Sequence, residues 1–252
     1  MFRVPIITYH SIDGSGSVIS TAPSVFKRQI AALAEAGFYA LTLRELVSRM
    51  DKEVPLPAKP VVLTFDDGFK NFYTEAYPVL NTHGFAATVF LVTDHCGSFN
   101  DWVGNPKDFP RSELLSWEEI RELSTSGVEF GSHTRTHPDL MSVSASSLEN
   151  EIAGSKASLD DELGVETVSF AYPFGRKDDR VKRTAAANFK AATSTVLGKV
   201  TPQSDLYALE RVDAYYLSNP WILDRLDTAG FDKYLSFRQF LRNTKSLVAR
   251  AH

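Results

Sequence analysis

Two pairs of polar residues in this chain have the types and the spacing that metal-assisted hydrolysis needs. Asp66 and Asp67 stand side by side in the segment Thr-Phe-Asp-Asp-Gly at 64–68, directly after an apolar run that predicts a buried strand. Adjacent carboxylates repel each other and are costly to bury, so we expect a cation beside them. Taken alone, an Asp-Asp-Gly sequence fits a solvated turn equally well.

The second pair is His133 and His137, at the end of another predicted strand, 128–132, with Pro138 stopping any helix there. Two imidazoles four residues apart can converge on one ion if the chain turns once. Such a pair also arises by chance, so by itself it does not identify a metal site. Combined with one aspartate it gives three ligands and leaves positions for water and substrate, which is typical of a catalytic zinc.

Three further candidates follow predicted strands or lie in a long loop. His10 follows the strand 4–9, where a lone histidine more often caps the strand by hydrogen bonding. Tyr172 ends a strand that begins at 168, and either its side chain or the backbone after it could border the same pocket. Trp102 lies in the loop 93–116, which we expect to form a lid or cleft wall. Its ring could stack on a sugar or hold the loop in place.

The elements that must position these residues alternate between strand and helix. Strands are predicted at 4–9, 38–41, 60–63, 86–92, 128–132, 168–172, 190–195 and 206–214, and helices at 23–36, 42–50, 71–83, 116–127, 144–163, 178–189, 221–226 and 231–248. This alternation favours parallel strands joined by crossover helices. The remaining histidines, His83, His95 and His252, are predicted at the surface or at helix ends.

Composition narrows the classes of protein further. A chain of 252 residues with 43% hydrophobic content can bury a full core, and we expect one domain over 1–252. With 27 Lys and Arg against 31 Asp and Glu, and no dense basic run, a nucleic-acid partner is not expected. Cys96 is the only cysteine, so neither an internal disulfide nor a cysteine-based zinc site can form.

No apolar segment of the sequence reaches membrane-spanning length. The apolar stretch near the first residue is also too short for a signal-peptide core. As written, the sequence predicts a cytoplasmic protein. An extracellular or periplasmic location is the alternative, if a leader has been removed.

Three motifs, in order, carry a resemblance to a known family. Thr-Phe-Asp-Asp-Gly at 64–68, His-Thr-x-x-His at 133–137 and Phe-Ala-Tyr-Pro-Phe-Gly at 170–175 resemble the polysaccharide deacetylases, also called the NodB-homology group or carbohydrate esterase family 4. The resemblance spans roughly 4–213. It implies an α/β fold, a distorted or incomplete (β/α) barrel with its metal site at the carboxyl ends of the strands. It also implies metal-dependent removal of acetyl groups from an N-acetylated sugar or polysaccharide of the N-acetylglucosamine type.

The resemblance also implies roles for individual residues. Asp66 matches the catalytic base, and Asp67, His133 and His137 match the ligands of a divalent metal, zinc in the first place, with cobalt, nickel or manganese as alternatives. Tyr172, Phe174 and Trp102 are the candidates for contacts with the substrate or its oxyanion.

Two departures from the family pattern matter. The third motif usually begins with an arginine that steadies the base, and here that position is Ala171. Arg211, on a late predicted strand, could supply the guanidinium instead. The usual late Leu-x-His motif, which provides the general acid, is absent. Members that act on poly-N-acetylglucosamine are circularly permuted and take this histidine from an N-terminal Tyr-His, which here is Tyr9-His10 and makes His10 the candidate acid.

Two other functions remain open. One is a metal-dependent amidohydrolase that acts on a non-sugar amide or a cyclic ureide. The other is a catalytically inactive, carbohydrate-binding relative. The second is less favoured, because inactive relatives typically lose a ligand or the base, and Asp66, Asp67, His133 and His137 are all present.

Overall fold

The structure, a computed structural model, describes residues 2–105, 109–217 and 220–250. Its strands are β1 Ile6–Tyr9, β2 Tyr39–Leu41, β3 Pro60–Phe65, β4 Thr88–Leu91, β5 Glu129–Ser132, β6 Ser169–Ala171, β7 Ala191–Leu197 and β8 Leu209–Asp213. Its α-helices are α1 Pro23–Glu35, α2 Leu43–Asp51, α3 Tyr77–Thr82, α4 Trp117–Thr125, α5 Ala145–Leu163, α6 Asp179–Asn188, α7 Pro220–Leu223 and α8 Ala229–Arg250.

Seven of these strands close into a barrel. The strand pairs are parallel, and β1 pairs with β8 on one side and with β3 on the other. The ring therefore runs β1-β8-β7-β6-β5-β4-β3 and back to β1. The prediction of a distorted (β/α) barrel is confirmed. In such a barrel the carboxyl ends of all strands meet at one face, where the loops can build a site.

The distortion comes from β2, which is not part of the ring. Val62 of β3 pairs with Ile6 on one side and with Leu41 of β2 on the other. Two residues later, Thr64 pairs with Thr88 of β4 on the side that β2 has left. The short strand β2 thus separates the amino-terminal half of β3 from β4, which pairs with β3 only at Thr64 and Phe65.

A buried carboxylate connects the start of β4 to α2, the helix that follows β2. Glu129, at the start of β5, accepts hydrogen bonds from the Arg44 N–H at 2.8 Å, the Thr88 hydroxyl at 2.8 Å and the Ser169 hydroxyl at 2.8 Å. Arg44 lies in the first turn of α2, where a helix has unpaired N–H groups that a carboxylate satisfies well. Glu129 therefore ties α2 to the amino-terminal end of the barrel.

Local sequence signals set most helix boundaries. A capping box begins α4, with Ser116 and Glu119 each accepting from the other's backbone N–H. The helix α5 ends at Gly164, in the left-handed conformation. The predicted helix 71–83 instead begins as a π-helical turn, Phe72–Ala76, before α3. Pro78 has no N–H to continue a regular α-helical ladder through this segment.

The main hydrophobic core lies between the barrel and its helices. Strand residues such as Ile7, Leu63, Val89 and Val212 pack there against helical residues such as Phe26 and Ile30, all fully buried. Among the described residues, no helix combines the length and the apolar composition of a membrane span.

Candidate active site

The three predicted metal ligands converge at the carboxyl ends of strands of the barrel. Asp67 follows β3, and His133 and His137 lie in the loop that follows β5. The Asp67 Oδ1 atom is 3.4 Å from His133 Nε2 and 3.5 Å from His137 Nε2. The three ligand atoms lie within 4.8 Å of one another, and all three residues are buried. One ion could therefore contact all three side chains.

The donor set and the orientation of His133 fit a zinc-type ion. The His133 Nδ1 atom is 2.7 Å from the Ala171 carbonyl, to which Nδ1–H can donate, and this tautomer leaves the lone pair of Nε2 directed toward Asp67. A carboxylate with two imidazoles is a common ligand set for catalytic zinc. Ala171, where the family arginine is absent, thus contributes through its backbone.

The electrostatics of the ligands also fit a bound cation. Burial lowers the pKa of His137 to about 3, which keeps its imidazole neutral and able to ligate. Burial acts on His133 in the same direction, but the hydrogen bond to Asp67 and the nearby carboxylates outweigh it and raise its pKa. A cation bound by Asp67 would take the place of that proton.

Asp66 has a different partner. Arg211, on β8, donates from Nη1 to Asp66 Oδ1 at 2.8 Å and from Nη2 to Oδ2 at 2.7 Å, and both side chains are buried. Burial raises the pKa of Asp66, but the charge and hydrogen bonds of Arg211 outweigh burial and hold this pKa far below its usual range. Asp66 is therefore ionised at any ordinary pH.

His10 also approaches Asp66. Its Nε2 atom is 3.7 Å from Asp66 Oδ2, beyond hydrogen-bonding distance, and its side chain is 28% exposed. A cavity of about 100 Å³ is bordered by His10, Asp66, Arg211 and the three ligands. The structure thus brings together every residue for which the sequence predicted a catalytic or metal-binding role.

Two of the predicted substrate-contact residues, Trp102 and Phe174, pack against the predicted metal ligand His137. The ring of Trp102 is buried, with its centroid 4.5 Å from that of His137, and the ring of Phe174 lies 4.7 Å away. The Nδ1 atom of His137 is buried and has no hydrogen-bond partner among the described residues. His137 is therefore oriented by two aromatic rings, whereas His133 is oriented by a hydrogen bond.

The exposure of these aromatic residues differs. Phe174 is 47% exposed and also borders a larger adjoining cavity of about 630 Å³. Tyr172 borders the smaller cavity, but it is buried and its hydroxyl donates to the Tyr207 carbonyl at 3.0 Å. Of the predicted aromatic contacts, Phe174 has the most surface available to a ligand.

The other histidines fall in three places. His83 is exposed at the end of α3, as predicted. His95 ends a short 3-10 helix, Thr93–His95, which agrees with the predicted surface or helix-end position. Its ring lies 5.6 Å from that of Trp102, and it borders the larger cavity. His252 lies outside the described residues.

Backbone strain is concentrated at this site. Six non-glycine residues in the described chain have positive φ, and four of them are Asp67, Thr134, His137 and Phe174. Thr134, with φ of 73°, is β-branched and therefore especially disfavoured in this conformation. Strained residues persist only where surrounding contacts over-determine them.

Glu151 supplies such contacts for the histidine loop, and sequence reasoning missed it. This buried residue of α5 accepts from the N–H groups of Arg135 and Thr136, both at 2.9 Å, and from the Thr136 hydroxyl at 2.7 Å. The signal was present in the sequence: Glu151 lies on the same helical face as Leu148 and Ile152, where an apolar residue would be expected.

Comparison with known proteins agrees with this geometry. Residues 53–192 match a family model described as polysaccharide deacetylase. A Bacillus subtilis protein named as a polysaccharide deacetylase, YxkH, is 28% identical over 211 residues, which are 83% of this chain and 71% of that protein. A Staphylococcus aureus poly-beta-1,6-N-acetyl-D-glucosamine N-deacetylase is 28% identical over 203 residues, 77% of this chain and 67% of that protein.

Larger relatives match over part of their length. The chain covers only 35% of an Escherichia coli poly-beta-1,6-N-acetyl-D-glucosamine N-deacetylase, at 26% identity over 96% of this chain. Among solved structures, the Streptococcus pyogenes deacetylase PplD superposes with a TM-score of 0.74 at 28% identity, over 84% of this chain and 92% of that one.

Proposed function

The chain belongs to the polysaccharide deacetylase family of hydrolases, and we propose that it removes N-acetyl groups from a polymer of the N-acetylglucosamine type with the help of a divalent metal. The observation that carries the proposal is the position of the Asp66–Arg211 ion pair beside the Asp67, His133 and His137 group. The names of the S. aureus and E. coli relatives support the choice of glycan.

Asp67, His133 and His137 would hold the ion, with zinc as the first choice for this ligand set. When bound, such an ion lowers the pKa of a bound water and polarises the acetyl carbonyl. Asp66 then accepts a proton from the attacking water. Both of its oxygens already accept from Arg211, but each keeps a free lone pair for this purpose.

The division of work between the aspartates follows from their partners. Arg211 compensates the charge of Asp66 and fixes its orientation. Asp67 faces the two imidazoles. The family model ends before Arg211 and begins after His10, so the roles of these two residues rest on the geometry.

His10, when protonated, donates to the leaving amine. It borders the same cavity as the ligands, and its side chain is partly exposed to solvent. No other histidine among the described residues lies beside Asp66 within salt-bridge distance. This geometry supports the permuted arrangement, in which the acid comes from the first strand.

A backbone N–H after Tyr172 would assist at the oxyanion. Pro173 has no N–H, so the first donor after Tyr172 is that of Phe174, whose φ of 58° departs from regular structure. A backbone donor fixed in this way costs no reorganisation when negative charge develops on the acetyl oxygen.

The proposal is tested by metal analysis of the purified protein together with acetate release from a panel of substrates. We expect about one divalent ion per chain, which follows from the single described ligand group, and acetate release from N-acetylglucosamine oligomers that a chelator abolishes. Hydrolysis of small non-sugar amides but not of oligomers would identify a different amidohydrolase. Glycan binding by calorimetry without bound metal or acetate release would identify a non-catalytic relative.

A further inference from the structure

The helix α8 runs along the carboxyl-terminal end of β7, outside the region that the family model matches. In its first turn, Asp232 accepts from the buried Lys199 at 2.7 Å. Further along, Gln239 Oε1 accepts from the Leu197 N–H at 2.8 Å. Contacts at successive positions of both segments show that the helix and the strand end run side by side in opposite directions.

A third contact continues this alignment. Arg242 Nη1 donates to the Thr195 carbonyl at 3.1 Å. From Asp232 to Arg242 a helix rises about 15 Å, and from Lys199 to Thr195 a strand spans about 13 Å. The helix segment and the strand segment between the outermost contacts are therefore similar in length, and α8 is held at three points along this segment.

This end of β7 needs support because its ladder is interrupted. Thr193 pairs with Leu209 and Leu197 pairs with Arg211, so three intervening residues of β7 face only one of β8. Such a bulge leaves backbone groups without ladder partners. The contacts from α8 compensate for part of this loss at Thr195 and Leu197.

The inner side of the same bulge holds Arg211. Its Nε donates to the Ser194 carbonyl at 2.9 Å, while its two terminal nitrogens donate to Asp66. Ser194 immediately precedes Thr195, which accepts from Arg242. The side chain of Thr195 also borders the catalytic cavity, where a Cβ at Gly175 would overlap it. The bulge thus lies between α8 and the ion pair.

We propose that α8, through Arg242 and Gln239, positions the bulge 194–197 and thereby the guanidinium of Arg211 against Asp66. This inference rests on the proposed function, in which Asp66 is the base. Arg242 and Gln239 are then positioning residues that act through Arg211.

The test compares Arg242→Ala with Arg238→Ala. Arg238 lies on the same helix, but its guanidinium packs on the ring of Tyr216, 4.8 Å from the centroid. We expect Arg242→Ala to lower kcat per bound metal about three- to tenfold, the range that corresponds to one hydrogen bond, with KM and metal affinity unchanged. Arg238→Ala should leave kcat unchanged. Arg242→Lys, which can still donate to Thr195, should recover part of the loss.

Gln239→Leu provides a second variant, which removes the acceptor for Leu197, and it should show the same loss in kcat. Expressing kcat per bound metal separates misplacement of Asp66 from partial unfolding, because an unfolded fraction would lose metal and activity together.

A double-mutant cycle decides whether Arg242 acts through Arg211. In the Arg211→Ala background, Arg242→Ala should cause no further loss. The same loss in both backgrounds, a change in KM alone, or an equal effect of Arg238→Ala would overturn the inference. Acetate release by the parent protein, together with its loss in Asp66→Asn, establishes the proposed function separately, so either idea can fail without the other.

Discussion

Asp66 and Asp67 are neighbours in sequence and are both buried, yet their surroundings differ in a way that fits the separate tasks proposed for them. Asp66 meets a guanidinium, which neutralises its charge. Asp67, with a left-handed φ of 73°, lies against the two histidines instead. Successive side chains at a strand end point in opposite directions, so adjacent carboxylates can have different partners.

Exchanging each aspartate for asparagine should separate these tasks. We expect Asp66→Asn to bind metal like the parent and to lower kcat about a hundred- to ten-thousand-fold, because a proton-transfer partner is lost. Asp67→Asn should lose metal affinity first. Metal content after dialysis and turnover with excess metal measure the two effects. Full turnover by metal-saturated Asp66→Asn would show that Asp66 is not the base.

The aromatic packing around His137 leads to a prediction about metal affinity. Replacing Trp102 by leucine removes the ring that covers one face of His137, so we expect affinity to fall about ten- to a hundredfold, as for other partners that orient a ligand. Competition with a chromophoric chelator measures this. Phe174→Leu is the matched comparison: because Phe174 is half-exposed, its loss should raise KM for the glycan more than it weakens metal binding.

At the scale of elements, two buried glutamates hold opposite ends of β5. Glu151 binds the backbone of the loop after this strand, and Glu129 binds the first turn of α2 beside its start. Burial is the largest influence on Glu129 and raises its pKa, because its hydrogen bonds compensate only in part. The folded state therefore binds a proton at Glu129 more readily than the unfolded chain does.

The sign of this shift predicts how stability depends on pH. Above the unfolded pKa of about 4.5, the free energy of unfolding should fall as pH rises through the raised pKa of Glu129. Glu129→Gln keeps an acceptor for Arg44 and should flatten this slope. Denaturant titrations at several pH values measure it, with Glu118→Gln, at an exposed position, as the control. An unchanged slope in Glu129→Gln would contradict the assignment.

Strand and helix positions could be predicted because alternating apolar runs and caps are local signals, as at Ser116 and Gly164. The grouping of Asp67, His133 and His137 could also be predicted, because parallel strands bring their carboxyl ends together. The contacts that support the site from α8 could not be predicted in this way. The contact of Arg242 with Thr195 depends on a bulge in β7, and no hydrophobic period in the sequence indicates the extra residues of a bulge.

At the scale of the whole molecule, the barrel brings residues from distant parts of the chain into one cavity. His10 comes from the first strand, the ligands from the middle of the chain and Arg211 from the last strand. A metal that binds only this assembled arrangement must favour the folded state as a whole, because the unfolded chain does not hold the three ligands together.

Removing the metal should therefore lower the melting temperature. At a free metal concentration of about a hundred times Kd, binding contributes about 2.7 kcal/mol, which corresponds to a shift of about 5–10 °C for a chain of this size. Calorimetry with and without a chelator measures it. The shift should vanish in Asp67→Asn but persist in Asp66→Asn, and an equal shift in both would place the ion elsewhere.

The pairing of β1 with β8 also has a consequence for biosynthesis. The strand that carries Arg211 and closes the ring is synthesised about two hundred residues after His10. Until then β1 lacks one neighbour, and Asp66 is without its counter-charge. The nascent chain can thus form helices and even pair β3 with β4 while hydrolytic competence waits for the final strand, so truncated products of translation should be inactive as well as unstable.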